Sequence, residues 1–129
     1  MAHTAVWETK GLWIKYSGVL TADEIIAAIN EIAGDPRFDD ISYRITDLTQ
    51  VDRIDSSSTI EDVEKVAAFA CALSKNNPNI KHAFVVNDES MQALAALYEM
   101  ECEGNSKKIK QFTSIEEARD WTNIAIACD

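Results

Sequence analysis

Residues Asp47 to Ser58 read DLTQVDRIDSSS and gather the side chains best suited to chemistry. Asp47 and Thr49 stand at the head of the run, and Asp55 precedes three consecutive hydroxyls, Ser56, Ser57 and Ser58. A long helical pattern begins directly after them. Hydroxyls at a helix start support two chemistries. One is capping, in which Ser or Thr oxygens satisfy the first free backbone N–H groups. The other is phosphate acceptance, because an added phosphate is favoured at the positive end of a helix and changes the surface there. Residue types alone leave both open, with capping the commoner. Likewise Asp47 and Asp55 can serve as turn-forming acids that bond a nearby backbone N–H.

The parts of a catalytic site are mostly missing. His3 lies near the start of the chain, where a mobile end is expected. His82 alternates with Lys81 and Ala83 on a strand pattern, which suits a structural or exposed histidine better than a base. Ser56 or Ser57 with His82 and Asp55 would have the composition of a triad, but triads are defined by geometry and nothing in the spacing supports one. Only four glycines occur, and none forms a phosphate-cradling loop. Cys71, Cys102 and Cys128 are scattered through helical patterns and read as small apolar residues in a reducing cytoplasm. No Cys or His pair has ligand spacing, so no metal is expected, and no cofactor. A non-enzymatic binding function follows.

Periodicity gives the elements that must position the run. Ala5 to Glu8 is strand-like, Lys10-Gly11 turns, and Leu12 to Ser17 should return as the second arm of a hairpin. Thr21 with Glu24 forms a capping box ahead of Ile25, Ile29 and Ile32 at helical spacing. Gly34-Asp35-Pro36 ends that helix. A third strand covers Ile41 to Leu48, and the helix 59–76 stops at Asn76-Asn77-Pro78. Ile80 to Asn87 is nearly continuous in apolar residues, the pattern of a strand buried on both sides. A helix over 88–103, a strand over Lys108 to Phe112 and a helix from Ser114 to Cys128, capped by Ser114 and Glu117, complete the chain. The order is β-β-α-β-α-β-α-β-α. It predicts one α/β domain over residues 1–129, a mixed five-stranded sheet with one antiparallel edge and about four helices.

The run resembles the segment D-L-S-x-V-x-F-[IM]-D-S-S-G of bacterial STAS domains of the SpoIIAA type, the anti-sigma-factor antagonists. Asp47, Leu48, Thr49, Val51, Ile54, Asp55, Ser56 and Ser57 fall on that pattern without a gap. Arg53 replaces an aromatic residue, Ser58 the glycine, and Thr59-Ile60 the usual Leu-Gly. Leu12 to Leu20, Lys81 to Asn87, Ser90 to Tyr98 and Lys110 to Ala118 resemble further elements of the family. The resemblance implies a SpoIIAA-like (STAS) fold and a regulatory module. Its partner would be an anti-sigma factor or similar protein, docked through Asp47, Thr49, Asp55, Ser56, Ser57 and Ser58. It also implies Ser57 as the phosphoacceptor, with phosphate beside Asp55 repelling and so switching docking off. The side chain at Ser58 stands against that chemistry, since a kinase that needs close backbone approach meets a side chain there.

Composition narrows the partners. The chain has 129 residues and a net charge of −10, from 22 acids against 12 bases. That opposes a nucleic-acid partner and electrostatic attachment to an anionic membrane. No stretch is long and apolar enough to span a bilayer, and no secretory signal is visible, so a cytoplasmic location is expected. A second function is suggested by surplus apolar residues. Phe69 and Leu73 on the helix 59–76, with Leu97 and Met100 on the helix 88–103, could line a pocket for an apolar small molecule, or open toward lipid. The plainer alternative is that these faces pack on each other or on a second copy, as a homodimer.

Overall fold

The computed structural model describes residues 2–55, 60–74, 80–89, 91–93, 95–96 and 109–127. Five strands form one sheet in the order β1-β2-β3-β4-β5. They are β1 (Ala2–Trp7), β2 (Gly11–Leu20), β3 (Tyr43–Ile54), β4 (Lys81–Val85) and β5 (Ile109–Phe112). β1 pairs antiparallel with β2, and all other pairs are parallel. The helices are α1 (Ala22–Ala33), α2 (Ile60–Ser74), α3, helical at described positions 89, 91–93 and 95–96, and α4 (Ile115–Ala127). A short 3-10 helix, Pro36–Asp40, follows α1.

The mixed α/β architecture agrees with the expectation, and the differences lie at element ends. β1 begins earlier than expected, and this removes His3 from a loose terminus. His3 pairs with Tyr16 in the hairpin, and its Nε2 lies 2.9 Å from Glu31. The 3-10 helix was not anticipated. Asp35 creates it by accepting from the Arg37 backbone N–H at 2.9 Å, while Phe38 plugs into the core at 2% exposure. The largest difference is β3. It runs on to Ile54 rather than stopping at Leu48, so two-thirds of the DLTQVDRIDSSS run is strand.

The two sheet faces bury different things. Leu12, Ile14 and Tyr16 of β2 and Phe84 of β4 share a core with Ala28, Ile29 and Ile32 of α1 and Met91 and Ala95 of α3. The opposite face is smaller. Tyr43, Ile45, Ala83 and Val85 pack with Ala118 of α4, and Trp13, Phe112 and Trp121 border them. Strand alternation explains the split, because neighbouring side chains point to opposite faces. β3 and β4 are covered on both sides, as the apolar run of β4 required. α1 starts where Thr21 Oγ1 accepts the Glu24 N–H at 3.2 Å, and α4 where Ser114 Oγ accepts from Glu117 at 3.3 Å.

Gly11 has a specific steric duty. The Tyr43 ring lies across its Cα so closely that an added methyl would overlap the ring. Gly11→Ala is therefore expected to cost about 1–3 kcal/mol, since the ring would have to leave its packed position. Urea unfolding checks this; a Gly11→Ala chain as stable as the parent would contradict the packing described.

Candidate functional site

The run of interest sits where β3 outgrows its neighbours. β3 pairs with β4 only from Tyr43↔Lys81 to Asp47↔Val85. Beyond Asp47 it continues with β2 alone, from Ser17↔Gln50 to Leu20↔Ile54. A two-stranded ribbon therefore extends past the end of β4. Between Lys15↔Asp47 and Ser17↔Gln50 the register gains one residue on β3, and it gains another between Gly18↔Val51 and Val19↔Arg53. Such bulges sharpen strand twist and re-aim side chains. Gly18 absorbs the bend at φ 78°, a left-handed backbone that suits glycine.

Asp47 anchors the first bulge. Its Oδ1 accepts from the Thr49 backbone N–H at 3.0 Å and from Thr49 Oγ1 at 2.6 Å. Its Oδ2 accepts from the Trp13 indole N–H at 3.3 Å. Asp47 is only 7% exposed, so the carboxylate is spent on holding the strand rather than offered to solvent. Thr49 is half-buried, while Gln50, Asp52 and Arg53 are exposed. Asp55, half-buried, donates its backbone N–H to Leu20 O at 2.8 Å and closes the ribbon. Ser56, Ser57 and Ser58 lie outside the described residues; α2 begins at Ile60 with Glu61 and Asp62 in its first turn.

Trp13 connects this end to α4. The Lys15 ammonium and the Arg119 guanidinium lie 4.6 and 4.9 Å from its ring centroid. Arg119 forks onto Glu8 at 3.1 and 2.7 Å, and the Tyr43 hydroxyl donates to the same Glu8 oxygen as the longer of the two. The Arg119 hydrogen bonds hold the Glu8 carboxyl below its ordinary range, against the opposing effect of burial. Neither Trp13 nor Arg119 was singled out by residue type. Their positions, on alternate faces of a strand and one turn into α4, become meaningful only once Asp47 is seen to need a donor.

The apolar pocket expected between the helices 59–76 and 88–103 is only partly within view. Phe69 on α2 is 38% exposed. Leu73 lies in α2, but its side chain is outside the described residues, as are Leu97 and Met100. Val66, nearly one turn before Phe69 on α2, is buried at 7%, so the two do not share an exposure. A separate open cleft of about 240 Å³ is lined by Val86, Gln92, Gln111, Phe112, Thr113 and Glu117, at the ends of β4 and β5. Among the described residues no cluster of His, Cys, Asp or Glu could hold a metal ion. No described helix is long and apolar enough to cross a membrane.

A buried polar group was missed by the sequence. Arg44, Thr46 and His82 are 3%, 8% and 2% exposed, on the face shared with Tyr16. Arg44 Nε donates to His82 Nε2 at 3.3 Å, and the Thr46 hydroxyl lies 2.7 Å from the same nitrogen. The His82 ring stacks on Phe84 with centroids 4.2 Å apart. Burial, helped by the Arg44 charge, holds His82 well below its ordinary value, so the ring is neutral. The hint was there: arginine, threonine and histidine at every second position of otherwise apolar strands. A lone strand arginine is usually read as exposed, and no pattern reveals that helices cover this one.

No family model matches the chain, and no curated protein matches its sequence. Its fold is matched by solved structures. The anti-sigma-factor antagonist SpoIIAA in its unphosphorylated form superposes with a TM-score of 0.61 at 12% identity, covering 95% of this chain and 98% of that one. The Bacillus cell fate determinant SpoIIAA in its phosphorylated form gives 0.54 at 14% identity, covering 92% and 97%. A DUF3478-family protein from Shewanella loihica with a SpoIIAA-like fold gives 0.53 at 17% identity, covering 94% and 92%. The chain therefore has a SpoIIAA-like fold.

The Glu8–Arg119 pair makes a pH-dependent contribution. A carboxyl whose folded value is depressed stabilises the fold above its unfolded titration and loses that contribution as pH falls through its folded value. Glu8→Gln should cost about 1 kcal/mol at neutral pH, a modest figure because both partners are partly exposed. The difference between parent and variant should vanish in acid. Urea titrations at both pH values check this, and a gap that persists in acid would rule the carboxylate out as its source.

Proposed function

We propose that the chain is a non-catalytic regulatory module that docks a protein partner, an anti-sigma factor or similar regulator, through its Asp47 to Ser58 end. The observation that carries this reading is the ribbon of β2 and β3 that outruns β4 and leads into α2. In it the described part of the run extends past the end of β4, with Gln50, Asp52 and Arg53 in solvent. Within this reading Asp47 and Thr49 shape the end, Asp55 to Ser58 meet the partner, and Ser57 takes the phosphate. A phosphate there would add negative charge beside Asp55 and ahead of Glu61 and Asp62, on a chain already at −10. The likeness to SpoIIAA in unphosphorylated and phosphorylated forms fits such a switch. The acidic surface suits a partner with a basic face and would speed encounter with it.

A second reading, of the chain as a carrier, is favoured by Phe69, a large apolar side chain exposed on α2. In it α2 and α3 receive an apolar small molecule or touch lipid, with Leu73, Leu97 and Met100 completing the lining. A second copy covering the same face, as a homodimer, would explain Phe69 equally.

Ser57→Asp is expected to weaken capture of the partner from an extract of the native cells at least about tenfold, while Ser57→Ala retains it. Affinity capture with mass spectrometry reads the difference. Equal capture by parent and Ser57→Asp would overturn the switch.

A further inference from the structure

The geometry points to Arg44 as the anchor of a buried site for an apolar monocarboxylic acid. This rests on the carrier reading and specifies the headgroup of the ligand. Arg44 is 3% exposed, and its Nη1 has no hydrogen-bond partner. Among the described residues the ion pairs are His3–Glu31, Arg37–Asp35 and Arg119–Glu8, and Arg44 takes part in none. A guanidinium is charged at any physiological pH, and burying it uncompensated costs several kcal/mol. Such a group is retained where something pairs with it.

The surroundings set the chemistry of that partner. Arg44 Nε and the Thr46 hydroxyl converge on His82 Nε2, which accepts and so carries no proton of its own there. Tyr16, 3% exposed on the adjacent strand, lies close enough to feel the Arg44 charge, and burial pushes its hydroxyl up to about 12. Among the described residues the group is thus one positive charge with neutral polar neighbours. Around it the face is apolar: Leu12, Ile14, Ile29, Phe84 and Met91 belong to the same core. One negative charge on an apolar body complements this arrangement. A carboxylate offers the planar pair of acceptors that a guanidinium matches. A polyanion would meet too few donors here, and the net charge of −10 would oppose its approach. The sheet is closed by backbone pairing, so the apolar body must lie on the face that carries Leu12, Ile14 and Phe84.

The test uses dodecanoate and dodecan-1-ol, equal in chain length and different in charge, titrated calorimetrically into the full chain and into Arg44→Met. The acid should bind the parent at least about tenfold more tightly than the alcohol, and this ratio should fall to about one in Arg44→Met. Should Arg44→Met fail to fold, the ratio on the unaltered chain decides. Equal affinities in the parent, or a preference for acid that survives in Arg44→Met, would overturn the assignment of Arg44 while leaving the carrier reading in place. Binding of neither probe would overturn both.

Discussion

Asp47 is the constraint on which the far end of this molecule depends. Its carboxylate accepts three hydrogen bonds at the last residue that β3 shares with β4. Charge-assisted bonds of this kind are stronger than neutral ones, and removing the acceptor from a buried site leaves several donors unpaired. Without it the bulge at Leu48 and Thr49 loses these three bonds at the point where the ribbon leaves β4. The same carboxylate sets the Trp13 indole, whose ring takes the Arg119 guanidinium, whose fork takes Glu8. The strand end, the hairpin and α4 are thereby tied through contiguous side chains.

The two faces of the sheet handle charge in opposite ways. On the α4 side four described cations lie on aromatic faces: Lys15 and Arg119 on Trp13, Lys81 on Trp121, Lys110 on Phe112. These side chains keep contact with water, and their charges cost little. On the other side Arg44 is buried at 3% exposure with a neutral imidazole for company. A fold selected for stability alone would replace it with an apolar residue of similar size. Among the described residues the asymmetry leaves paired, water-contacting cations on one face and a buried, unpaired guanidinium on the other.

The architecture was legible because its signals are periodic and redundant. The burial of β4 followed from an apolar run, and the start of α1 from Thr21 and Glu24. The extent of β3 was hidden, because Thr49, Gln50, Asp52 and Arg53 read as a loop by polarity. They remain in a strand because β2 supplies backbone partners, Thr49 bonds to Asp47, and Gln50, Asp52 and Arg53 reach solvent. The grouping of Arg44, Thr46 and His82 was illegible for a different reason: it joins residues on two strands whose register no local pattern fixes. The roles of Asp47 and Thr49 were half legible, since an acid two residues before a hydroxyl is a turn signal whether or not it lies in a sheet.

Amide hydrogen exchange over residues 47–55, compared between the parent and Asp47→Ala, is the most direct test of the organising role of this carboxylate. The Asp47 clamp predicts protected amides at Thr49 and along Gln50 to Asp55 in the parent, and loss of that protection in Asp47→Ala with β4 and α4 still protected. Equal protection of the ribbon in both chains would contradict it, and would mean that pairing with β2 alone holds the run in place.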